Sequence, residues 1–292
     1  MSTNDFFIKT MVSAIILNDV ESQYNLGVCY TNGLGTTINK KQAFYWYTVS
    51  ANANIPSAQF NLGQCYYNNE IPSSSNSSTN INIINAIYWW NLAYQNGHKI
   101  AAYNLGNLYK EGIYVIKDMK RACELFIYSA IENYPDAQYI LAMCYKHGHG
   151  VEQNYNETKK WLSCAADNDH TLAQVNLAEM YVLGIGETKN LKEGIRLYTL
   201  AANKGNTVAK LTLATCYSLG SGVKIDQTKA KEYVLSAENA TDNMSKLILG
   251  SCYRNGYGVE IDMDRANRFF DEAKELDPQL TNIYMKHLQK YD

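Results

Sequence analysis

Apolar residues along this chain recur in two alternating helical registers. In the first, a small residue is followed by leucine four positions on and tyrosine four beyond that, an i, i+4, i+8 series that marks one face of a helix. The series returns seven times, at Leu26/Tyr30, Leu62/Tyr66, Leu105/Tyr109, Leu141/Tyr145, Leu177/Tyr181, Leu213/Tyr217 and Leu249/Tyr253. Its small residues are Ser22, Ala58, Ala101, Ala137, Ala173, Ala209 and Ser245. The step is 36 residues except once, where it is 43. The extra residues coincide with the polar stretch Pro72 to Thr79, which is expected to form a flexible surface loop.

The second register opens in each repeat on a residue able to cap a helix: Asn39, Asn82, Asp118, Asn154, Asn190, Asp226 and Asp262. Such side chains accept hydrogen bonds from first-turn amides and are worth about 1 kcal/mol each. Four residues later comes a mostly small position (Ala43, Ala86, Ala122, Thr158, Gly194, Ala230, Ala266), and then a bulky pair, from Trp46/Tyr47 to Phe269/Phe270. A small residue closes the face, from Ser50 to Ala273.

Between the registers stands G-x-G in five repeats (Gly33/Gly35, Gly148/Gly150, Gly184/Gly186, Gly220/Gly222, Gly256/Gly258), where glycine suits a left-handed helix end. The third repeat keeps only Gly112, and the second has Asn69 there and is expected to have the least regular turn.

These registers predict an all-α chain of seven helix-turn-helix repeats of about 36 residues. A repeat of this kind buries its apolar face only against a neighbour, so partial helices should close the ends. The expected organisation is a capping helix in 1–21 and repeats at 22–57, 58–100, 101–136, 137–172, 173–208, 209–244 and 245–280, with a closing helix in 281–292. Phe6 to Leu17 aligns with a second helix, Ala14 falling one period before Ser50, and Thr281 to Tyr291 can form the closing amphipathic helix.

Composition narrows the function. The 292 residues are 46% hydrophobic and 18% charged with a net charge of −2, so no positive field draws the chain to nucleic acid or an anionic membrane. Met11 to Leu17 is too short to span a bilayer, and the N-terminus lacks the basic segment of a leader, so a cytoplasmic chain without membrane insertion is expected. Seven cysteines, an odd number in a long chain, favour a reducing compartment over a disulfide framework. The sequons at Asn76, Asn156, Asn239 and Asn243 are accounted for by the abundance of asparagine.

Catalytic chemistry finds no support. Cys144, His147 and His149 have C-x-x-H-x-H spacing but no fourth zinc ligand, and Cys144 belongs to a column (Cys29, Cys65, Leu108, Cys144, Met180, Cys216, Cys252) whose other members make it an apolar slot. The G-x-G turns lack the third glycine and preceding strand of a dinucleotide site, and G-x-S-x-G, H-E-x-x-H and P-loop patterns are missing. No cofactor, metal or small-molecule substrate is expected, and the chain is read as a non-enzyme.

The pattern A-x-x-x-L-G-x-x-Y-x-x-G-x-G-V, an Asn/Asp cap, then A-x-x-[WYF] and a small residue, resembles the Sel-like repeat family, relatives of tetratricopeptide repeats, over residues 22 to 280. Departures are Ala142, Ala178 and Ala214 in place of glycine, and the incomplete turns of repeats two and three. The resemblance implies a right-handed α/α solenoid acting as a scaffold or adaptor that binds another protein or peptide. In such a solenoid the first helices line the concave side. By likeness to the peptide-contacting column of tetratricopeptide repeats, the position before the leucine becomes a candidate contact: Asn25, Asn61, Asn104, Ile140 and Asn176, together with Gln64, Asn107, Met143, Glu179, Lys110 and Lys146 on the same face. An asparagine ladder could hydrogen-bond an extended backbone, or could simply be a solvated face. An alternative is a secreted cysteine-containing repeat protein with a hydrolase-like or small-molecule-binding role.

Overall fold

The structure, a computed structural model, describes residues 2–71, 79–186 and 188–288. Sixteen α-helices and no strand are present among them. The first-register helices are α2 (Val20–Asn32), α4 (Pro56–Tyr67), α6 (Lys99–Glu111), α8 (Pro135–His147), α10 (Thr171–Leu183), α12 (Thr207–Leu219) and α14 (Asn243–Asn255). The second-register helices are α3 (Lys40–Asn52), α5 (Thr79–Gln95), α7 (Met119–Ile131), α9 (Tyr155–Asp167), α11 (Leu191–Asn203), α13 (Gln227–Ala237) and α15 (Met263–Leu276). α1 (Thr3–Ile15) precedes them and α16 (Pro278–Leu288) follows. Pro72 to Ser78, with the Asn76 sequon, and the last residues of the expected closing helix lie outside the described residues.

Six of the seven first helices stop where the chain turns left-handed. Gly33, Gly112, Gly148, Gly184, Gly220 and Gly256 are the C-caps, at φ between 69° and 73°. α4 instead ends on Asn68 at φ −83°, with Asn69 left-handed at φ 56°, so the second repeat does have the irregular turn. The second glycine of the turn also has a packing duty. A Cβ on Gly35 would lie 2.2 Å from the Thr3 carbonyl oxygen, and one on Gly150 2.2 Å from that of Met119. This glycine therefore lets the turn rest on the first turn of the preceding repeat's second helix. In the third repeat Tyr114 takes that place, at φ 62°.

Six of the seven expected caps of second helices hold: the side chains of Asn39, Asp118, Asn154, Asn190, Asp226 and Asp262 accept from first-turn amides. Asn82 does not cap. α5 already runs at Thr79, so Asn82 is inside the helix and buried, donating through Nδ2 to Asn69 Oδ1 at 2.8 Å. The insert supplies extra residues that extend the helix backwards past the cap position. At the N-terminus, α1 matches α3 with a shift of 37 residues, which puts Ala14 at the place of Ala51 rather than Ser50. The buried glutamines agree: Gln23 donates to the Ala14 carbonyl as Gln59 does to that of Ala51.

The chain forms two compact units, Met1–Gln153 and Asn154–Asp292. In the first, Ala43, Tyr47, Ala51, Ala58, Leu62 and Cys65 form one core cluster, and Trp90, Ala93, Ala101, Ala102, Leu105, Leu108 and Leu125 another. In the second, the main cluster runs from Leu211 to Ala273 and includes Val234, Phe269 and Phe270. Helix pairs close on a glycine set against an aromatic ring. A Cβ on Gly27, Gly63, Gly106 or Gly250 would come 2.4–2.7 Å from Tyr47, Trp90, Phe126 or Phe270 respectively. Where alanine replaces that glycine, the partner changes: Ala214 shares its cluster with the smaller Val234. In the fifth repeat room comes from the facing helix, where a Cβ on Gly194 would lie 3.2 Å from the Ala178 carbonyl oxygen.

Candidate functional site

The candidate contact residues sit on first helices whose orientation is fixed by the buried leucines beside them. Nine of them, Asn25, Asn61, Gln64, Asn104, Asn107, Lys110, Ile140, Met143 and Lys146, lie in the first unit on α2, α4, α6 and α8. Asn176 and Glu179 lie in the second unit on α10. All eleven are half-buried.

The asparagines are not equivalent. Asn25, Asn104 and Asn107 make no side-chain hydrogen bond to another described residue. Asn61 instead reaches the Tyr47 hydroxyl, and Asn176 Nδ2 donates to the Leu172 carbonyl of its own helix at 3.0 Å. Of the two lysines that differ from the amides, Lys110 pairs with the adjacent Glu111 at 3.0 Å.

The structure brings Asn61 and Gln64 together on one small cavity of about 250 Å³ between the first and second repeats. Thr31, Tyr47, Phe60 and Cys65 also line it. Thr31 Oγ1 donates to the Gly27 carbonyl at 3.0 Å and meets the Tyr47 hydroxyl at 2.8 Å. Burial pushes both the Tyr47 phenol and the Cys65 thiol up to about 12, so both stay neutral across the physiological range. At the rim Lys40 Nζ and Glu70 Oε1 pair at 2.8 Å and cancel each other's charge.

Two columns that position these helices escaped the sequence reading. One is the left-handed residue between a second helix and the next first helix: Asn18, Asn54, Gly97, Asn133, Asp169 and Gly205, at φ between 51° and 91°. The other is a buried glutamine that spans the junction. Gln23, Gln59, Gln138 and Gln174 donate to the carbonyls of Ala14, Ala51, Ala130 and Ala166 at 3.1–3.3 Å. Three of them also reach the side chains of Asn18, Asn54 and Asn133. Both columns recur at the 36-residue step, which was the available signal. The first helices carry their own caps too, on Asp19, His98, His170, Asn206 and Asp242. His98 is half-buried against Phe60, the ring centroids 4.5 Å apart, and burial with the nearby Lys99 charge lowers its pKa to about 4.

All seven cysteines are free thiols, six of them buried. Cys123 on α7 lies against Cys144 on α8, and its Sγ donates to the His149 carbonyl at 3.0 Å; the hydrogen bond with the Cys144 thiol and burial hold its pKa well above the usual thiol range. His147 and His149 stack at 5.6 Å. Among the described residues no group of three His, Cys, Asp or Glu could hold a metal ion, and no helix is long and apolar enough to cross a membrane.

The Sel1 repeat profile matches seven times, at residues 20–55, 56–98, 99–134, 135–170, 171–206, 209–242 and 245–278. This chain belongs to the Sel1 repeat family. Among curated proteins it is 54% identical over 50 residues to the putative sel1-like repeat-containing protein L21 of Acanthamoeba polyphaga mimivirus, a stretch covering 17% of this chain and 9% of that protein. Among solved structures it is similar to c5321, a protective antigen of uropathogenic Escherichia coli strains displaying an SLR fold, with a TM-score of 0.76 and 24% identity. That match covers 98% of this chain, which spans 59% of the c5321 chain. It is also similar to the Sel1 repeat protein from Oxalobacter formigenes, with a TM-score of 0.64 and 25% identity over 92% of this chain and 77% of that one. Sel1 repeat proteins generally serve as protein-interaction scaffolds and are typically non-catalytic.

Proposed function

We infer that this Sel1 repeat protein is a non-catalytic adaptor that holds an extended segment of a partner protein along its first helices. The observation that carries the reading is the run of half-buried, neutral amide side chains on consecutive first helices of the first unit, those of Asn25, Asn104 and Asn107 having no partner among the described residues. Amides of this kind can both donate to and accept from a peptide backbone. Mixed polarity at Met143, Ile140 and Lys110 suits a peptide or loop better than a large apolar helix. In this reading α1 and α16 serve as terminal caps, and the free thiols suit a reducing compartment such as the cytoplasm. A titration of reactive thiols in denaturant that fell short of seven, the number of cysteines, would argue against that compartment.

The test takes a partner recovered by affinity capture and titrates the purified protein against wild type and against Asn25→Ala/Asn61→Ala/Asn104→Ala. Binding should weaken at least about tenfold, or 1.4 kcal/mol, while the helical circular dichroism stays the same. Equal affinity for the two would remove this face from consideration.

A further inference from the structure

We propose that the cavity between the first and second repeats receives one uncharged aromatic side chain of the bound segment, an anchor point that rests on the groove reading above. The chain itself shows what fits there. In the second repeat Tyr67 stands at the position held by Thr31 in the first, and Trp90 at that of Tyr47. The Tyr67 ring lies over Trp90, centroids 5.1 Å apart. In the first repeat the small Thr31 leaves that ring's space open beside Tyr47, and the cavity of about 250 Å³ is the result. It is smaller than the roughly 300–1,000 Å³ of sites for drug-sized ligands, which matches a single side chain.

Its lining selects the chemistry. The ring of Tyr47 with Phe60 and Cys65 offers apolar and edge-on aromatic contact, for which paired rings prefer centroids about 4.5–7 Å apart. The Asn61 and Gln64 amides and the Thr31–Tyr47 hydroxyl pair can meet a phenol or indole polar atom. With Lys40 and Glu70 neutralising each other at the rim, a charged side chain has no unmatched counter-charge to meet. Tyrosine and tryptophan fit best, and both are the residues that anchor interfaces by filling pockets.

The probe is p-cresol, with N-acetyltyrosinamide as its peptide-like form and acetamide as comparator, titrated against the full chain and followed by the backbone amide resonances of Thr31, Asn61 and Gln64. Saturable shifts with cresol and N-acetyltyrosinamide but not acetamide are expected. Thr31→Tyr, which copies the second repeat and fills the space, should weaken them at least about tenfold. Ser218→Tyr makes the same change at the corresponding position of the sixth repeat, away from the cavity, and should retain them. Absence of saturable shifts in wild type, equal shifts with acetamide, equal shifts in Thr31→Tyr, or their loss in Ser218→Tyr would each overturn the proposal. Selection of random peptides on the wild-type protein separates this from the groove reading: bound peptides without aromatic enrichment would leave the groove standing and remove the anchor, and failure to bind any peptide would remove the groove.

Discussion

Gly63→Ala tests the packing rule that builds the repeat. The added Cβ would sit 2.4 Å from Trp90 Cδ1 and 2.6 Å from its Nε1, where carbon contacts are comfortable at about 3.5–4.0 Å. Trp90 is 2% exposed, so its ring has nowhere free to swing and must shift by about 1 Å with its helix. Overpacking of this kind costs about 1–3 kcal/mol, and the depth of this overlap puts it near the top. Alanine recovers about 1 kcal/mol of helix propensity, which leaves a net loss of about 2 kcal/mol. Urea unfolding followed by circular dichroism should show a lower midpoint. Trp90→Leu alone should also destabilise, by about 3 kcal/mol, through the space it empties. The double variant should lose at least about 1 kcal/mol less than the two single losses added, because each change relieves the other. A Gly63→Ala protein as stable as wild type or more so, or strictly additive losses, would refute the glycine–aromatic complementarity.

Two further outcomes follow from the junctions. Gln138→Leu removes the bonds to the Ala130 carbonyl, which keeps the Asn133 amide at 3.1 Å, and to Asn133 Oδ1, so the loss should be about 1–2 kcal/mol in urea unfolding, and a neutral result would mean the glutamine column adds nothing. His98 takes up its proton far lower in the fold, near 4, than in the unfolded chain, near 6.5, so stability is complete above pH 6.5 and falls as pH drops towards 4, by on the order of 2 kcal/mol after discounting for partial exposure. His98→Asn, copying the Asn206 cap that accepts from Ala209 at 2.8 Å, should flatten that acid limb in thermal melts across pH; an unchanged limb would assign it elsewhere.

Nearly all of the helical frame was legible in the sequence because one periodicity carried it. Leu26 and its six counterparts, the glycine C-caps and six Asn/Asp caps each repeat a local physical requirement, and seven repetitions turn a weak signal into a register. What escaped was what breaks or crosses the repeat. Asn82 looked like a cap because it held the right column, yet the insert offered α5 a longer start. Ala14 looked one period before Ser50, yet a single residue in the loop before α2 shifts it to the place of Ala51. The glutamine column of Gln23, Gln59, Gln138 and Gln174 crosses from one repeat to the previous one, and Ala102, Lys210 and Lys246 interrupt it. A polar residue in a run of mixed polar residues gives no hint that it is buried until its partner carbonyl is in view. The candidate face was legible as a set of columns but not as a set of distinct environments: sequence treated Asn25, Asn61 and Asn176 alike, while their hydrogen bonding differs.

That distinction explains how a stacked fold can carry specificity at all. The stacking columns have little freedom: the turn glycine must pass within contact of the preceding helix, and the glycine or alanine of the first helix must suit the ring opposite it. The position after the tyrosine is held less tightly. It reads Thr31, Tyr67, Lys110, Lys146, Val182, Ser218 and Arg254, and it admits this range even though Thr31 meets Tyr47, Tyr67 lies over Trp90 and Val182 faces Gly194. In the proposed reading, threonine there leaves a cavity beside Tyr47 while tyrosine packs on the ring opposite, as Tyr67 does on Trp90, so one change in that column would open or shut a place for a partner side chain. In the proposed reading binding preference is set at this looser column, and a variant such as Lys110→Ser should alter what is bound while leaving stability nearly constant.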